Sequence, residues 1–149
     1  MGGIHPMGEL IQSPIKDAQE AIPVDTYGGR VHVEWDPQAE VTPFGQLPFF
    51  VDFLKVADLY QPWVKESPLN YTSPNAPSKN DVLGTILLSV LAGHTRYAHI
   101  AAIRFDSVNP GLLGMEKVVS EDSVRRAFRG ADEPACRDWL QSHLRRCWE

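Results

Sequence analysis

Polar and apolar positions change period several times along the chain, and each change predicts an element. Residues Met1 to Thr26 are polar, punctuated by Pro6, Pro14 and Pro23, and carry no sustained hydrophobic repeat. They predict a disordered leader over 1–26 whose removal leaves folding nearly unchanged. Tyr27-Gly28-Gly29 is a turn signal, and Arg30-Val31-His32-Val33-Glu34-Trp35 alternates at strand period up to Asp36-Pro37, so a short β-strand or extended arm is expected there. Between Gln46 and Tyr60 the apolar residues Leu47, Phe50, Phe53, Leu54, Ala57 and Leu59 recur near helical spacing, with Pro48 tolerable in the first turn. Strand and amphipathic helix together make a segment over 27–66. Turn formers from Ser67 to Ser78, including Pro74 and Pro77, predict a loop over 67–79 that ends with Ser78 as a helix cap.

The remainder, 80–149, reads as helical. Asp81 to Ala92 is apolar almost all round the wheel yet too short to cross a bilayer, which predicts a central buried helix stopped by Gly93. Thr95 is placed to cap a helix from Arg96 to about Phe105, whose Ala98, Ala101 and Ala102 would form a small-residue packing face. Asp106 to Pro110 breaks it, and Asn109 can cap a short turn over Pro110 to Leu113 before Gly114. Ser120 opens a helix that runs to about Arg129, with Glu121 and Asp122 in the first turn where the helix dipole favours negative charge. Pro134 to about Cys147 is a last amphipathic helix. The fold class expected is mainly α: a helical bundle containing a helix-turn-helix-like tri-helical unit, with a short β element near the N-terminus.

Composition narrows the function classes. A chain of 149 residues with 43% hydrophobic and 22% charged residues has room for one domain of useful size. No run approaches a membrane span and the start lacks a basic region followed by an apolar core, so a soluble, cytoplasmic protein is expected. Cys136 and Cys147 fit neither a disulfide framework nor a paired-cysteine zinc site and read as free thiols. A net charge of −5 argues against a surface that is basic throughout. The average hides an asymmetry: Met1 to Gly93 holds 5 Lys/Arg against 11 Asp/Glu, whereas His94 to Glu149 holds 9 against 8. Cations therefore concentrate in the last third.

The wording of several segments adds to this reading. Asp81-Val82-Leu83-Gly84 through Leu91-Ala92-Gly93-His94-Thr95-Arg96-Tyr97-Ala98-His99-Ile100, then Ile103-Arg104-Phe105-Asp106, Asn109-Pro110, Leu112-Leu113-Gly114-Met115 and Val119-Ser120-Glu121-Asp122-Ser123-Val124-Arg125-Arg126-Ala127-Phe128, follow one another in order. In this order they resemble the N-terminal region of bacterial DDE-type insertion-sequence transposases. Gly45-Gln46-Leu47 to Tyr60, with Trp63-Val64, is similar to the stretch preceding that unit, and the resemblance covers roughly Gly29 to Leu144. It implies binding of double-stranded DNA at the ends of an insertion element. In the family an RNase H-like domain follows, whose two aspartates and a glutamate hold divalent Mg or Mn for strand cleavage and joining. Here Trp139 to Leu144 is followed by Arg145-Arg146-Cys147-Trp148-Glu149, and the expectation is a truncated transposase without that catalytic domain. Such a chain would cleave no strand, need no cofactor and lie on the bacterial nucleoid.

On a wheel the helix from Glu121 to Arg129 puts Val124, Ala127 and Phe128 on one side and Asp122, Arg125, Arg126 and Arg129 on the other. Such a face is either solvated or, as the resemblance implies, a DNA-contacting surface in which arginine forks grip phosphates and guanine edges. Ser123 joins the three arginines as a DNA-contacting residue. Arg96 and Arg104 either add phosphate contacts or lie over the core. His94 and His99 are five apart, and His143 with Cys147 lack further ligands, so no metal site is expected. The pairs Glu34 with Asp36 and Asp132 with Glu133 read as solvated. Phe44, Phe49, Phe50, Phe53, Tyr60 and Trp63 read as core, or else as a patch offered to a partner. The alternative function is a helical protein-interaction module that self-associates or pairs with and inhibits intact transposase through Phe49 to Trp63.

Overall fold

The computed structural model describes residues 20–36, 38 and 44–148. Its elements in chain order are β1 (Ile22–Thr26), β2 (Gly29–Val33), α1 (Leu47–Val56), α2 (Tyr60–Lys65), α3 (Lys79–Leu91), a 3-10 turn at Tyr97–His99, α4 (Ile100–Ile103), α5 (Asn109–Leu112), α6 (Glu121–Arg129) and α7 (Glu133–Arg146). The protein is mainly α with one small antiparallel sheet near its N-terminus. None of the described helices is long and apolar enough to cross a membrane.

At the centre lies α3. Ser78 caps it by accepting a hydrogen bond from the Asp81 amide at 3.0 Å, and Val82, Leu83 and Leu88 are sealed from solvent. Around them close Val51 and Leu54 of α1, Tyr60 of α2, Ile100 and Ile103 of α4, Leu112 of α5 and Val124 of α6. Burial does not extend round the last turn, where Val90 and Leu91 are exposed, because the segment after Gly93 contributes only single turns against α3. Gly93 ends the helix in the left-handed region (φ 78°), with the Gly93 amide donating to Val90 and the His94 amide to Ser89.

The expected helix over 46–60 is two helices. Asp58 adopts φ 50°, its amide bonds the Lys55 carbonyl and the Leu59 amide bonds the Leu54 carbonyl, which is the same stop that Gly93 makes. The inward face of α1 is Leu47, Val51 and Leu54. Phe49, Phe50 and Phe53 point outward at 38%, 37% and 55% exposure, so the reading of the aromatic group as core holds only for Tyr60, with Phe44 and Trp63 half-buried.

The expectation of a structureless leader is overturned at its end; residues 1–19 lie outside the described residues. Ile22 to Thr26 is a strand that pairs with Gly29 to Val33 in the register Ile22 to Val33 and Thr26 to Gly29, around the two-residue loop Tyr27-Gly28. Gly29 at φ 118° supplies the backbone conformation this tight turn requires. Val24 and Thr26 are buried, the Lys55 ammonium donates to the Thr26 carbonyl at 3.3 Å, and the Tyr27 amide donates to Leu112 at 3.1 Å. At Gly28 the backbone of the turn meets that of Gly111 so closely that a Cβ would overlap the Gly111 carbonyl oxygen. The hairpin is thus clamped between α1 and α5, and removing it would strip buried contacts.

Two further expectations are corrected between α3 and α6. The helix over Arg96 to Phe105 is one 3-10 turn plus the four residues of α4, and Thr95 does not cap it. Ala98, Ala101 and Ala102 are exposed, because an element this short packs through its larger side chains, Ile100 and Ile103. Asn109 is inside α5 rather than its cap. The Asp106 carboxylate accepts from the Val108 and Asn109 amides at 2.9 and 3.0 Å and from the Asn109 side chain. At the last helix, Asp132 caps α7 through the Ala135 amide, and Glu133 pairs with Arg137 at 2.9 Å.

Substituting Gly28→Ala forces two backbones apart and is expected to cost about 1–3 kcal/mol. Gly111→Ala, whose Cβ would meet nothing within 4 Å, should be near neutral; equal denaturant midpoints for the two variants would sink the clamp. Asp106→Ala should cost about 1 kcal/mol at neutral pH, as for a helix-capping carboxylate. Burial raises the Asp106 pKa, but the bonds from Asn109 and Val108 outweigh it and the net shift is downward. The carboxylate therefore stabilises fully above the unfolded value of about 3.9, and the deficit of the variant should shrink as acid titrates through the lower folded value.

Candidate nucleic-acid interface

The position of α6 is decided on α3. The Asp81 carboxylate is 2% exposed and accepts from the Glu116 amide at 2.9 Å. One turn on, the Thr85 hydroxyl is fully buried, donates to the Asp81 carbonyl at 2.7 Å and accepts from the Val119 amide at 3.0 Å. Asn80 donates to the Leu113 and Gly114 carbonyls at 3.2 and 2.9 Å and accepts from the Tyr60 hydroxyl at 2.8 Å. Gly84 leaves room for this crossing, since a Cβ there would strike the Met115 thioether and stand 2.9 Å from the Tyr60 oxygen. The segment from Leu113 to Val119 is in this way laced to the polar stripe of α3 and delivers Ser120 to the start of α6. Ser120 then accepts from the Ser123 amide at 3.3 Å and caps the helix.

The faces of α6 fall as its wheel predicts. Val124 and Ala127 are buried and Phe128 is half-buried, whereas Asp122, Arg125, Arg126 and Arg129 are exposed. Arg125 is held along the surface, 3.0 Å from Glu121 one turn earlier and 5.5 Å above the ring of Tyr97. An exposed pair of this kind contributes about 0.2–0.5 kcal/mol, so it orients the guanidinium without locking it. Arg126 donates to the Asp122 carbonyl at 3.3 Å and borders a polar cavity of 510 Å³ facing the loop at 70–77. Arg129 stands in the last turn. Ser123, its hydroxyl 3.0 Å from that of Ser120, borders the same cavity and a neighbouring one of 190 Å³.

Arg104 lines that second cavity together with Lys117, so it joins the α6 surface. Arg96 lines a different depression, with Ser89, His94 and Tyr97, on the side where Arg125 of α6 lies over the Tyr97 ring. Sequence reasoning missed Lys117 and the loop residues Tyr71, Ser73 and Asn75, because a lone lysine in an irregular stretch carries no periodic signal. Tyr71 has a buried hydroxyl with no partner among the described residues, and burial pushes its pKa up, which keeps it a hydrogen-bond donor.

The remaining titratable groups have local roles. His94 accepts or donates with the Ser89 hydroxyl at 3.1 Å, and its ring meets His99 edge to face. His143 sits 3.0 Å from the Glu66 carboxylate, off the line of a hydrogen bond, and Arg146 shares that carboxylate at 3.3 Å. Cys136 and Cys147 are free thiols. No cluster of three or more metal-ligating side chains occurs among the described residues. No protein-family model, no curated protein and no solved structure matches the chain.

Thr85→Val keeps the volume of the side chain and removes its hydroxyl, leaving the buried Val119 amide without a partner. It is expected to cost about 1–3 kcal/mol. Hydrogen exchange should quicken at Val119 and along α6; a variant as stable as the parent, with unchanged exchange there, would contradict the anchoring role.

Proposed function

We propose that this chain binds double-stranded DNA through α6, as the end-recognising N-terminal region of a DDE-type insertion-sequence transposase. The observation that carries the reading is a capped helix with one face fastened to α3 and the other presenting Arg125, Arg126 and Arg129, beside Ser123. A helix so braced can enter a major groove without itself deforming, and arginine forks suit both phosphate oxygens and guanine edges. The order of segments from Asp81 to Phe128 that resembles the transposase family supports the same reading. Strand chemistry, with its Mg or Mn, is then the work of an RNase H-like domain outside these residues, and the site of action is the bacterial nucleoid. The geometry departs from a standard helix-turn-helix in one respect: the helix before α6 is reduced to short turns, so bracing comes from α3 and the Tyr97–His99 turn instead.

A second reading has its own observation. Phe49, Phe50 and Phe53 are exposed on α1, and an apolar groove of 270 Å³ lies between α1, α2 and α7, lined by Leu54, Leu59, Trp63, Leu140 and Leu144. These surfaces suit a protein partner, such as intact transposase or a second copy of the chain.

The two readings separate on DNA binding at low salt, where the attraction of the local cations for phosphates is screened least and has to outweigh the equally unscreened repulsion of the net charge of −5. The parent should bind an element-end duplex more tightly than a scrambled one. Arg125→Ala, Arg126→Ala and Arg129→Ala should each weaken binding, by about 1–3 kcal/mol where a bidentate base contact is lost. If the folded triple variant binds both duplexes as well as the parent, α6 is not the reader and the interaction module is the better account.

A further inference from the structure

We propose that the polar groove between the loop at 70–77 and α6 is a track for the DNA phosphodiester backbone, gripping phosphates while the outer face of α6 reaches for bases. The inference rests on the DNA-binding reading and assigns it a second, sequence-independent contact surface.

The cavities of 510 and 190 Å³ share Asn75, Pro77 and Ser123 and so form one groove. Its charged lining is cationic at both ends: Arg126 in the larger part, Arg104 and Lys117 in the smaller. No carboxylate lines either part among the described residues, although the chain carries 19 acidic residues against 14 basic ones. Glu121, the carboxylate at the start of α6, is committed to Arg125 at 3.0 Å. The depression at Arg96 and the apolar groove beside α7 are also free of carboxylates, but this groove alone among them gathers three cations, which concentrates there the attraction an anion requires.

The neutral lining points the same way. Ser73, Asn75 and Ser123 offer hydroxyl and amide donors. Cations interleaved with small donors are the chemistry of phosphate contacts. The cations do not converge on a single point: they are divided between two connected cavities, which suits successive phosphates of a strand better than one small anion. Phosphate contacts carry no sequence information, so the track would add affinity without sequence preference, leaving discrimination to Arg125 and Arg129.

The test is a KCl titration of binding to a random-sequence duplex and to an element-end duplex, comparing the parent with Arg104→Gln, Lys117→Gln and the double variant. Arg104 and Lys117 are exposed, so the variants should unfold at the temperature of the parent. Each lost phosphate contact should reduce the magnitude of the log-affinity against log-salt slope by about 0.9, and equally on both duplexes. An unchanged slope in the double variant, with binding still lost in Arg125→Ala and Arg129→Ala, would overturn the track and leave the α6 reading intact. A parent that binds neither duplex at low salt would overturn both. A loss confined to the element-end duplex would also defeat the inference, since a backbone track cannot distinguish sequences.

Discussion

Two buried side chains of α3, the Asp81 carboxylate and the Thr85 hydroxyl, hold in place the segment from Glu116 to Val119 that leads into α6. An extended segment crossing a helix has no partner strand for its amides, and an unpaired buried amide is costly. Asp81 and Thr85 take two of those amides, at Glu116 and Val119. Their own position is favourable, since Asp81 lies in the first turn of α3, where the helix dipole supports a negative charge that burial would otherwise penalise. Gly84, lying between them in the sequence, completes the crossing by having no side chain for Met115 to strike. One stretch of helix thus provides hydrogen-bond acceptors, charge compensation and space.

The N-terminal half is joined to this frame by aromatic rings and close backbone contact. Tyr27 of the hairpin meets Tyr60 at 5.2 Å, Tyr60 meets Trp63 at 6.0 Å, and Trp63 stacks on Trp139 of α7 at 5.3 Å. Tyr60 is the junction, because its hydroxyl also bonds Asn80 on α3. The acidic half and the cation-bearing half therefore share one core, and the arginines of α6 project from a body whose mean charge is negative. That arrangement favours local, contact-range attraction over long-range steering.

What could be read in the sequence was short in range. Ser78 and Ser120 declare their helices because a capping hydroxyl bonds an amide three residues on, and Gly93 declares a stop because glycine commonly enters the left-handed region. The same stop at Asp58 was invisible, since aspartate rarely takes that conformation and the apolar repeat continues past it. Strand β1 was hidden by Pro23 within it, and its place against Gly111 depends on a residue far along the chain. The outward face of α6 was legible from period alone. The groove beside it was not, because it is assembled from the 70–77 loop, Arg104, Lys117 and α6, and only the path of the segment laced to α3 brings them together.

The attachment of α7 sets a hierarchy of local stability within the fold. Of its side chains only Trp139 and His143 are buried, and Leu140 and Leu144 remain largely open to water. A helix fastened along so narrow a seam can open as a unit while α3, enclosed on most sides, stays closed. Such an opening would part the stacked indoles of Trp63 and Trp139 and uncover the apolar channel behind them. The last helix is thus fastened mainly to α2, through Trp63, and stands apart from the α3 frame that carries α6.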